Sequence, residues 1–532
     1  MTNLFSILPV ISPLLLFAVG SIPDNWANRH VAVLRNFVVT TAYVTCFLSI
    51  ATAILLALHG PLDVVFFKIS WPAPIGLGIY IDRVAIVMLL LISFIGVVIS
   101  RYSLRYLDGE ATQGRFLRWI SFTLGSVVLM VISRNLVMFT AAWMLTSFGL
   151  HQLLTHYPDR SWAIWAARKK FLVSRLGDLM LLCALGLTFW QFGSSEYTDL
   201  FAAMKASTTE STLLVTLIGV FLALGALSKS AQFPFHTWLP DTMETPTPVS
   251  ALMHAGIINA GGFLVIRLSP LISHSGPALD LLALVGGFTA LFGSVVMLTQ
   301  TSIKRSLAYS TIAQMGFMML QCGLGAYSAA MLHIVAHSLY KAYSFLSCGS
   351  VLESAARLRT GPGPSPTILR KLVVLPVAMA IALGLCSAPI WLMQIDQRTK
   401  SGAAVLGIVL NIALIQMLWN SFSVGSWQLS VRSLCAGALV TFSYYAAFVV
   451  MNNILADTVP HLTMLPSSMD NVIFWLVTLG FGFICILQSI FIPLTELPLV
   501  RAIYVHAMNG LYLDIPARRL TARFWGQSAP VQ

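Results

Sequence analysis

Charged residues are scarce in this chain. They make up 9% of its 532 residues, whereas apolar residues make up 57%, and the mean hydropathy is +0.83. This composition excludes an ordinary soluble domain, and it predicts an all-α, polytopic membrane protein. The net charge of +12 is dispersed between apolar segments, which indicates basic loops on one membrane face rather than a nucleic-acid-binding surface.

Closely spaced cysteines are also missing. The seven cysteines are scattered through apolar runs, and no CxxC pair occurs. Iron–sulfur and zinc sites of the usual spacing are therefore not indicated. We expect the cysteines to be small core residues, and we expect no metal, cofactor or catalytic residue in this chain.

Long polar segments are absent as well. The longest loops, at 101–115, 194–211 and 351–370, are too short to form a soluble domain. The N-terminal stretch lacks a basic region and a clear cleavage site, so we interpret it as the first span. The apolar segments predict about fifteen transmembrane helices of about 20 residues each.

Lysine and arginine are unevenly distributed between the two ends of the predicted helices. With the N-terminus outside, most of the 31 basic residues fall in inner segments. This asymmetry predicts an outer N-terminus and a cytoplasmic C-terminus. The outer segments hold Lys68, Arg83, Arg134, Lys205, Arg267, Arg398 and Lys400.

The stretch 224–267 combines ionisable residues with apolar helices. Lys229 is predicted in the middle of one helix, Pro234 interrupts that helix, and His254 lies deep in the next. A lysine at membrane depth costs about 2.5–3.5 kcal/mol, so it is retained for a partner or a function. Broken helices are tolerated where they line a wet cavity. We interpret Lys229 and His254 as parts of a proton path, with a structural lysine and a satisfied core histidine as the alternatives.

A second polar stripe lies further along the chain. His333, His337 and Lys341 are spaced at i, i+4 and i+8, so they share one helix face over about 12 Å. This spacing is typical of a proton wire. Metal binding by the two histidines is the rival interpretation, and it lacks a third ligand nearby.

Other ionisable residues flank these groups. Arg175 and Asp178 are three residues apart, so they can form a local ion pair, either inert or involved in gating. His236, Asp241 and Glu244 follow the helix break. We place these three at the cytoplasmic mouth of the path, with a solvated loop as the alternative.

The C-terminal tail, from Pro498 onward, is polar, basic and aromatic. It is predicted to lie along the inner surface or to dock a cytoplasmic partner, and a solvated anchor is the alternative.

Several motifs resemble the proton-conducting membrane transporter family, which includes the antiporter-like subunits of respiratory complex I (NuoL and NdhF types) and of Mrp antiporters. The resemblance covers roughly half the chain. It implies two inverted five-helix repeats with broken helices, and it assigns the proton path to Lys229, His254, His333, His337 and Lys341, with Asp178 as its acidic residue. The motifs are YIDRVAIVML, SRYSLRYLDGE, VSRLGDL, LSKSAQFPFHTWLPDTMETPTPVSALMHA, SIKRSLAYSTIAQMGFM and HSLYKAYSFLSCGSV.

Two positions depart from that family. Met144 stands where a glutamate is typical, and the run 384–389 lacks the lysine of the second broken helix. The missing charges, the length and the tail YVHAMNGLYLD resemble the DabB family, the membrane subunits of inorganic-carbon accumulation complexes in bacterial inner membranes. That resemblance implies a cytoplasmic DabA-like partner, similar to a zinc β-carbonic anhydrase, on the inner face and tail. It also implies that any zinc belongs to that partner and that this chain is a non-enzymatic transporter subunit.

The expected organisation is N-terminal helices at 1–115, a first repeat at 116–273, a second repeat at 274–425, and C-terminal helices with the tail at 426–532. The expected function is conduction of protons or sodium ions that energises CO2 and bicarbonate accumulation. Two alternatives stay open: a pumping subunit of complex I or an Mrp antiporter, and a non-conducting membrane anchor for a soluble enzyme.

Overall fold

The computed structural model describes residues 7–70, 75–206, 212–350, 367–394, 401–460, 468–491 and 497–526. These residues are predominantly helical, as the composition predicts. The all-α prediction missed one antiparallel hairpin, in which β1 (Leu62–Ile69) pairs with β2 (Ile75–Ile81). Four of the predicted loop charges, Arg357, Arg359, Arg398 and Lys400, lie outside the described residues.

The helices before the break are mostly long. They are α1 (Leu8–Gly20), α2 (Asp24–Arg29), α3 (Val31–His59), α4 (Arg83–Tyr106), α5 (Gln113–Ile132), α6 (Leu136–Leu154), α7 (Ser161–Phe192), α8 (Tyr197–Ala206) and α9 (Leu213–Lys229).

The segment after the break is divided into short helices. They are the 3₁₀ turn Phe235–Thr237, α10 (Trp238–Asp241), the 3₁₀ turn Thr242–Glu244, α11 (Thr247–Ala255), the 3₁₀ turn Ile257–Asn259, α12 (Ala260–Arg267) and α13 (Ser269–Ile272).

Long helices then return, followed by two amphipathic ones. They are α14 (Gly276–Thr299), α15 (Ile303–Gly323), α16 (Tyr327–Leu346), α17 (Ile368–Leu392), α18 (Ser401–Val424), α19 (Trp427–Leu455), α20 (Ser468–Ile486), α21 (Pro498–Met508) and α22 (Asp514–Trp525).

Among the described residues, eleven helical segments are long and apolar enough to cross a membrane. The helices α1 and α9 are apolar but shorter, while α15 and α16 occupy two more of the predicted spans. The total of about fifteen spans and the inverted relation of two repeats stay predictions. Across the segment where the family pattern implies a second broken helix, the chain forms one continuous helix, Ile368–Leu392.

The helix break lies earlier than expected. Lys229 is the last residue of α9 rather than a mid-helix residue. Pro234 has no N–H to donate, and a proline disfavours helical geometry in the residue before it. Ala231 also has a positive φ of 50°, so the chain leaves the helix at Lys229. This places the ammonium at the negative end of the helix dipole, which favours a cation.

Helices α14 and α15 approach each other through glycines. A Cβ added to Gly286 would come within 2.7 Å of the Gly316 carbonyl oxygen, and one on Gly316 would reach the Gly286 carbonyl oxygen at the same distance. Small residues let membrane helices pack backbone to backbone. This contact holds α15 in place, and α15 carries two hydroxyl groups of the candidate site.

A buried ion pair joins α4 to the end of α12. Arg267 Nη1 lies 2.7 Å from Asp82 Oδ2, and the two side chains are 2% and 5% exposed. Asp82 also caps α4 by accepting a hydrogen bond from the Ala85 N–H. The Arg267 guanidinium faces the rings of Tyr80 and Tyr197. Arg267, which the charge count assigns to an outer segment, is a core residue, because Asp82 and these rings compensate its burial.

We expect Arg267→Met to lower the free energy of unfolding by about 3–5 kcal/mol, because it leaves the Asp82 carboxylate buried and unpaired. The double variant Asp82→Asn/Arg267→Met should lose less, since no uncompensated charge remains. Thermal unfolding of the purified protein in detergent measures both.

Arg83→Met provides the matched control for that substitution. Arg83 pairs with Asp457 at 2.8 Å, and both side chains are exposed, so its loss should cost about 1 kcal/mol or less. Equal losses for the Arg83 and Arg267 variants would contradict the structural role of the buried pair.

Candidate functional site

Lys229 anchors a group that we name the lysine cluster: Lys229, Trp143, Ser147, Lys170, Arg175 and Asp178. Its Nζ donates hydrogen bonds to the Ser147 hydroxyl at 2.7 Å and to the Trp143 carbonyl at 3.3 Å. The same nitrogen lies 4.4 Å from the centre of the Trp143 ring. Lys229 is only 7% exposed. Its amine is therefore held by neutral oxygens and an aromatic face, away from solvent.

Lys170 brings a second amine to the same serine. Its Nζ donates to the Ser147 main-chain carbonyl at 2.7 Å, and the residue is 3% exposed. Lys170 lies on α7, whereas Ser147 lies on α6 and Lys229 ends α9. Three helices thus converge on one residue, with one lysine on its side chain and the other on its main chain.

Arg175 and Asp178 form the predicted ion pair. Arg175 Nη2 lies 2.6 Å from Asp178 Oδ2, with the arginine side chain 45% exposed and the aspartate side chain 5% exposed. Asp178 also acts electrostatically on Lys229. Asp178 therefore supplies the negative charge of the lysine cluster, and Arg175 offsets part of that charge.

Lys341 and His254 belong to a second group, the histidine cluster: His254, Ser310, Thr311, His333, His337 and Lys341. Lys341 Nζ donates to the Ser310 hydroxyl at 2.8 Å and to the Leu307 carbonyl at 3.1 Å. The Thr311 hydroxyl donates to that carbonyl at 3.0 Å, and it also lies 3.0 Å from His254 Nδ1. His254 and Lys341 are fully buried, and they are joined through one turn of α15.

The two histidines of α16 continue this cluster. The ring centres of His333 and His337 lie 5.9 Å apart, as their spacing on one helix face predicts. The Nε2 atoms of His337 and His254 are buried and lack a hydrogen-bond partner among the described residues. The described residues contain no group of three or more histidine, cysteine, aspartate or glutamate side chains that could hold a metal ion. The arrangement suits proton exchange better than metal binding.

Among the described residues, Lys229 and His254 share no direct hydrogen bond. The two clusters are connected instead by hydrogen bonds of neighbouring residues. The Ser230 hydroxyl, next to Lys229, donates to the Ile258 carbonyl at 2.7 Å. The neighbouring Asn259 amide donates to the Ser338 hydroxyl at 2.8 Å, and Ser338 follows His337. These two contacts connect the break to α16.

The three residues predicted for the cytoplasmic mouth have different surroundings. Asp241 lies 2.5 Å from Lys169 Nζ, and Lys169 also contacts Asp514 of α22. Glu244 is exposed. His236 is 2% exposed and packs against the rings of Phe233 and Phe292, so the solvated-loop alternative is wrong for His236. Burial raises the pKa of Asp241, and the Lys169 ammonium opposes that rise.

The C-terminal helices α21 and α22 pack on the chain itself. The Tyr504 hydroxyl donates to the Thr299 carbonyl at 3.3 Å, the Trp525 ring lies against Phe171, and Asp514 reaches Lys169. The tail is therefore more than a solvated anchor, because it contacts the same lysine as the helix-break segment. On the surface of the tail, large apolar residues remain exposed, including Leu499, Leu520 and Phe524.

The sequence interpretation missed Ser147, Lys170, Ser310 and Thr311. Lys170 was counted only as an inner-loop charge, although it lies within the apolar part of α7. Hydroxyl residues are common in membrane helices, so they gave no signal before their neighbours were known.

Two family descriptions match the sequence. The family described as NADH:quinone oxidoreductase/Mrp antiporter, TM matches residues 133–389. The family described as NADH-Ubiquinone oxidoreductase (complex I), chain 5 N-terminus matches residues 70–117. The larger match includes both clusters.

Curated relatives carry the name of an inorganic carbon transporter subunit. The "Probable inorganic carbon transporter subunit DabB2" of Halothiobacillus neapolitanus is 39% identical over 459 residues, 86% of this chain and 82% of the relative. The DabB of Hydrogenovibrio crunogenus is 41% identical over 60% of this chain and 61% of the relative.

The fold is similar to that of a solved Mrp complex from Dietzia sp. The TM-score is 0.58 at 24% identity, over 97% of this chain and 55% of that chain. At this identity the likeness shows the fold alone. Together with the curated relatives, these matches show that the chain belongs to the DabB family of inorganic carbon transporter subunits, among the antiporter-like membrane proteins.

Proposed function

We propose that the chain conducts protons through the lysine and histidine clusters and thereby energises a cytoplasmic, carbonic-anhydrase-like partner in CO2 and bicarbonate accumulation. The observation that carries this proposal is Lys229, a buried amine at the end of a broken helix with only neutral ligands. The curated relatives support the link to inorganic carbon through their name.

The side chains of the clusters favour the proton over sodium. Hard metal cations are bound by several oxygen ligands, whereas these clusters offer amines and imidazoles, which exchange protons. Asp178 is the only carboxylate in the two clusters, and it is already paired with Arg175. The oxygens that do converge in the two clusters already accept hydrogen bonds from Lys229 and Lys341, so the amines occupy the places that a sodium ion would need.

Conduction through the histidine cluster uses groups already in contact. The Thr311 hydroxyl lies between His254 and the Leu307 carbonyl, and Lys341 donates to the same carbonyl. A change in protonation at Lys341 therefore alters the hydrogen bonding of His254. Coupling to a partner requires two states of the complex with different proton affinity, and the Ser230–Ile258 and Asn259–Ser338 contacts connect the clusters in such a change.

The tail is the proposed connection to the partner. Asp514 on α22 and Asp241 beside the helix break share Lys169. A partner bound to α22 on the predicted cytoplasmic side would therefore act on the break through one ammonium group. The exposed apolar residues of the tail offer the partner an apolar binding surface.

The pumping alternative has less support in the geometry. Helix α6 presents Met144 rather than a carboxylate, and α17 is continuous where a second break is expected. The non-conducting anchor explains the tail but gives no reason to bury Lys229, Lys170 and Lys341.

We expect Lys229→Ala to lower proton conduction by about 10²-fold or more, the range typical of losing a proton-transferring side chain. CO2-dependent growth and bicarbonate uptake should fall with it. Proton flux into vesicles and radiolabelled bicarbonate uptake measure the two effects in sodium-free medium.

Lys205→Ala is the control for Lys229, because Lys205 is exposed. This variant should conduct like the wild type. Wild-type growth and bicarbonate uptake in the Lys229→Ala variant would contradict the proposed function.

The triple variant His333→Gln/His337→Gln/Lys341→Gln distinguishes conduction from anchoring. We expect it to abolish proton flux and bicarbonate uptake while the partner still co-purifies with the chain. Intact uptake in this variant would favour the anchor function, and loss of the partner would indicate a folding defect instead.

We expect Asp514→Asn to reduce bicarbonate uptake while proton conduction persists, because the tail loses its charge contact with Lys169 but the lysine cluster is unchanged. Parallel measurement of uptake and flux tests this uncoupling. Asp457→Asn removes an exposed carboxylate elsewhere and should change neither. An equal fall of both activities in the Asp514 variant argues against a coupling role for the tail.

A further inference from the structure

Two buried lysines share one serine in the lysine cluster. Lys229 contacts the Ser147 hydroxyl and Lys170 contacts the Ser147 carbonyl, each at 2.7 Å. Both residues are almost fully buried. Two ammonium groups that contact the same buried residue repel each other where water is excluded.

The surrounding charges do not neutralise two ammonium groups. Helix α7 contributes Asp178, which is paired with Arg175, and α6 contributes His151, one turn beyond Ser147. Asp241 of the helix-break segment and Asp514 of the tail are engaged with Lys169. With both lysines charged, the cluster would hold an excess of positive charge, so the balance favours one proton between the two amines.

We propose that Lys170 is a second proton-carrying side chain of the path and shares a single proton with Lys229 across Ser147. This inference rests on the proposed function. In the transfer, the Lys229 ammonium becomes a neutral amine and the Lys170 amine becomes an ammonium. The number of protons and the net charge of the pair are the same before and after.

The position of Lys170 gives the transfer a direction. Lys170 follows Lys169 in α7, and Lys169 contacts Asp241 and Asp514. Both carboxylates belong to segments predicted on the cytoplasmic side. The proposed path therefore leaves the lysine cluster along α7, toward Lys169, rather than past the His236 ring, which packs against Phe233 and Phe292.

The pH dependence of conduction tests the shared proton. Full-length protein in liposomes is driven by a potassium diffusion potential, and proton uptake is followed from about pH 6 to pH 9. Lys170→Gln removes a positive neighbour of Lys229 and should move the pH midpoint of the flux upward by about one unit. Lys170→Arg fixes that positive charge and should move the midpoint downward by about the same amount. Both variants should also lower the maximal flux.

A merely structural Lys170 predicts a different result. Glutamine and arginine both keep a donor for the Ser147 carbonyl, so a structural role gives no opposite shifts. Lys205→Gln, at an exposed position, is the matched control and should keep the wild-type midpoint. Unchanged midpoints in both Lys170 variants overturn the inference.

Ser147 provides the second test should the Lys170 variants fold poorly. Ser147→Thr keeps the hydroxyl and should keep the wild-type midpoint, whereas Ser147→Ala removes the acceptor of Lys229 and should shift it. Equal midpoints in these two variants contradict the shared proton. Lys229→Gln separates the two proposals. If it loses its flux while the Lys170 variants keep the wild-type flux and midpoint, only this inference is wrong. If Lys229→Gln keeps the normal flux, both the proposed function and this inference are wrong.

Discussion

The end of α9 at Lys229 is the constraint on which the site depends. Because the helix stops there, the Lys229 amine lies where the unpaired carbonyls of a helix end favour a cation. The following residues then turn back toward α12. The Ser230 hydroxyl donates to the Ile258 carbonyl. Gly261 lets α12 approach α9 so closely that a Cβ on Gly261 would collide with the Ser230 hydroxyl. One break thus fixes both the lysine and the helix beside it.

The same contacts explain why two clusters can act together although their ionisable groups do not touch. Asn259 follows Ile258 and holds Ser338, the neighbour of His337. Interiors packed this closely shift between discrete arrangements rather than deforming continuously. The Lys229 break and α16, which carries His337 and Lys341, are therefore parts of one packed unit.

Much of this arrangement could be predicted from the sequence, and the remainder depended on tertiary contacts. Ionisable residues in apolar helices are so costly that Lys229, His254 and the α16 stripe stood out, and the Arg175–Asp178 pair followed from spacing alone. Lys170 did not stand out, because it follows Lys169 near a helix end where a loop charge looks the same. Ser147 and Ser310 could not be singled out, because their role depends on tertiary contacts with lysine amines that the sequence does not reveal. The exact end of α9 depended on local geometry that spacing does not reveal.

The shortage of carboxylates in the two clusters suits the proposed conduction of protons. A buried lysine paired with a carboxylate forms a strong, charge-assisted hydrogen bond, and breaking that bond is costly. Lys341 instead has a hydroxyl and a carbonyl as ligands, and Lys229 has the same kinds of ligand. Neutral ligands orient an amine without fixing its charge, so a proton can leave without abandoning a buried anion. The replacement of an acidic neighbour by Met144 is therefore compatible with conduction, provided that another charge, such as that of Lys170, modulates the amine.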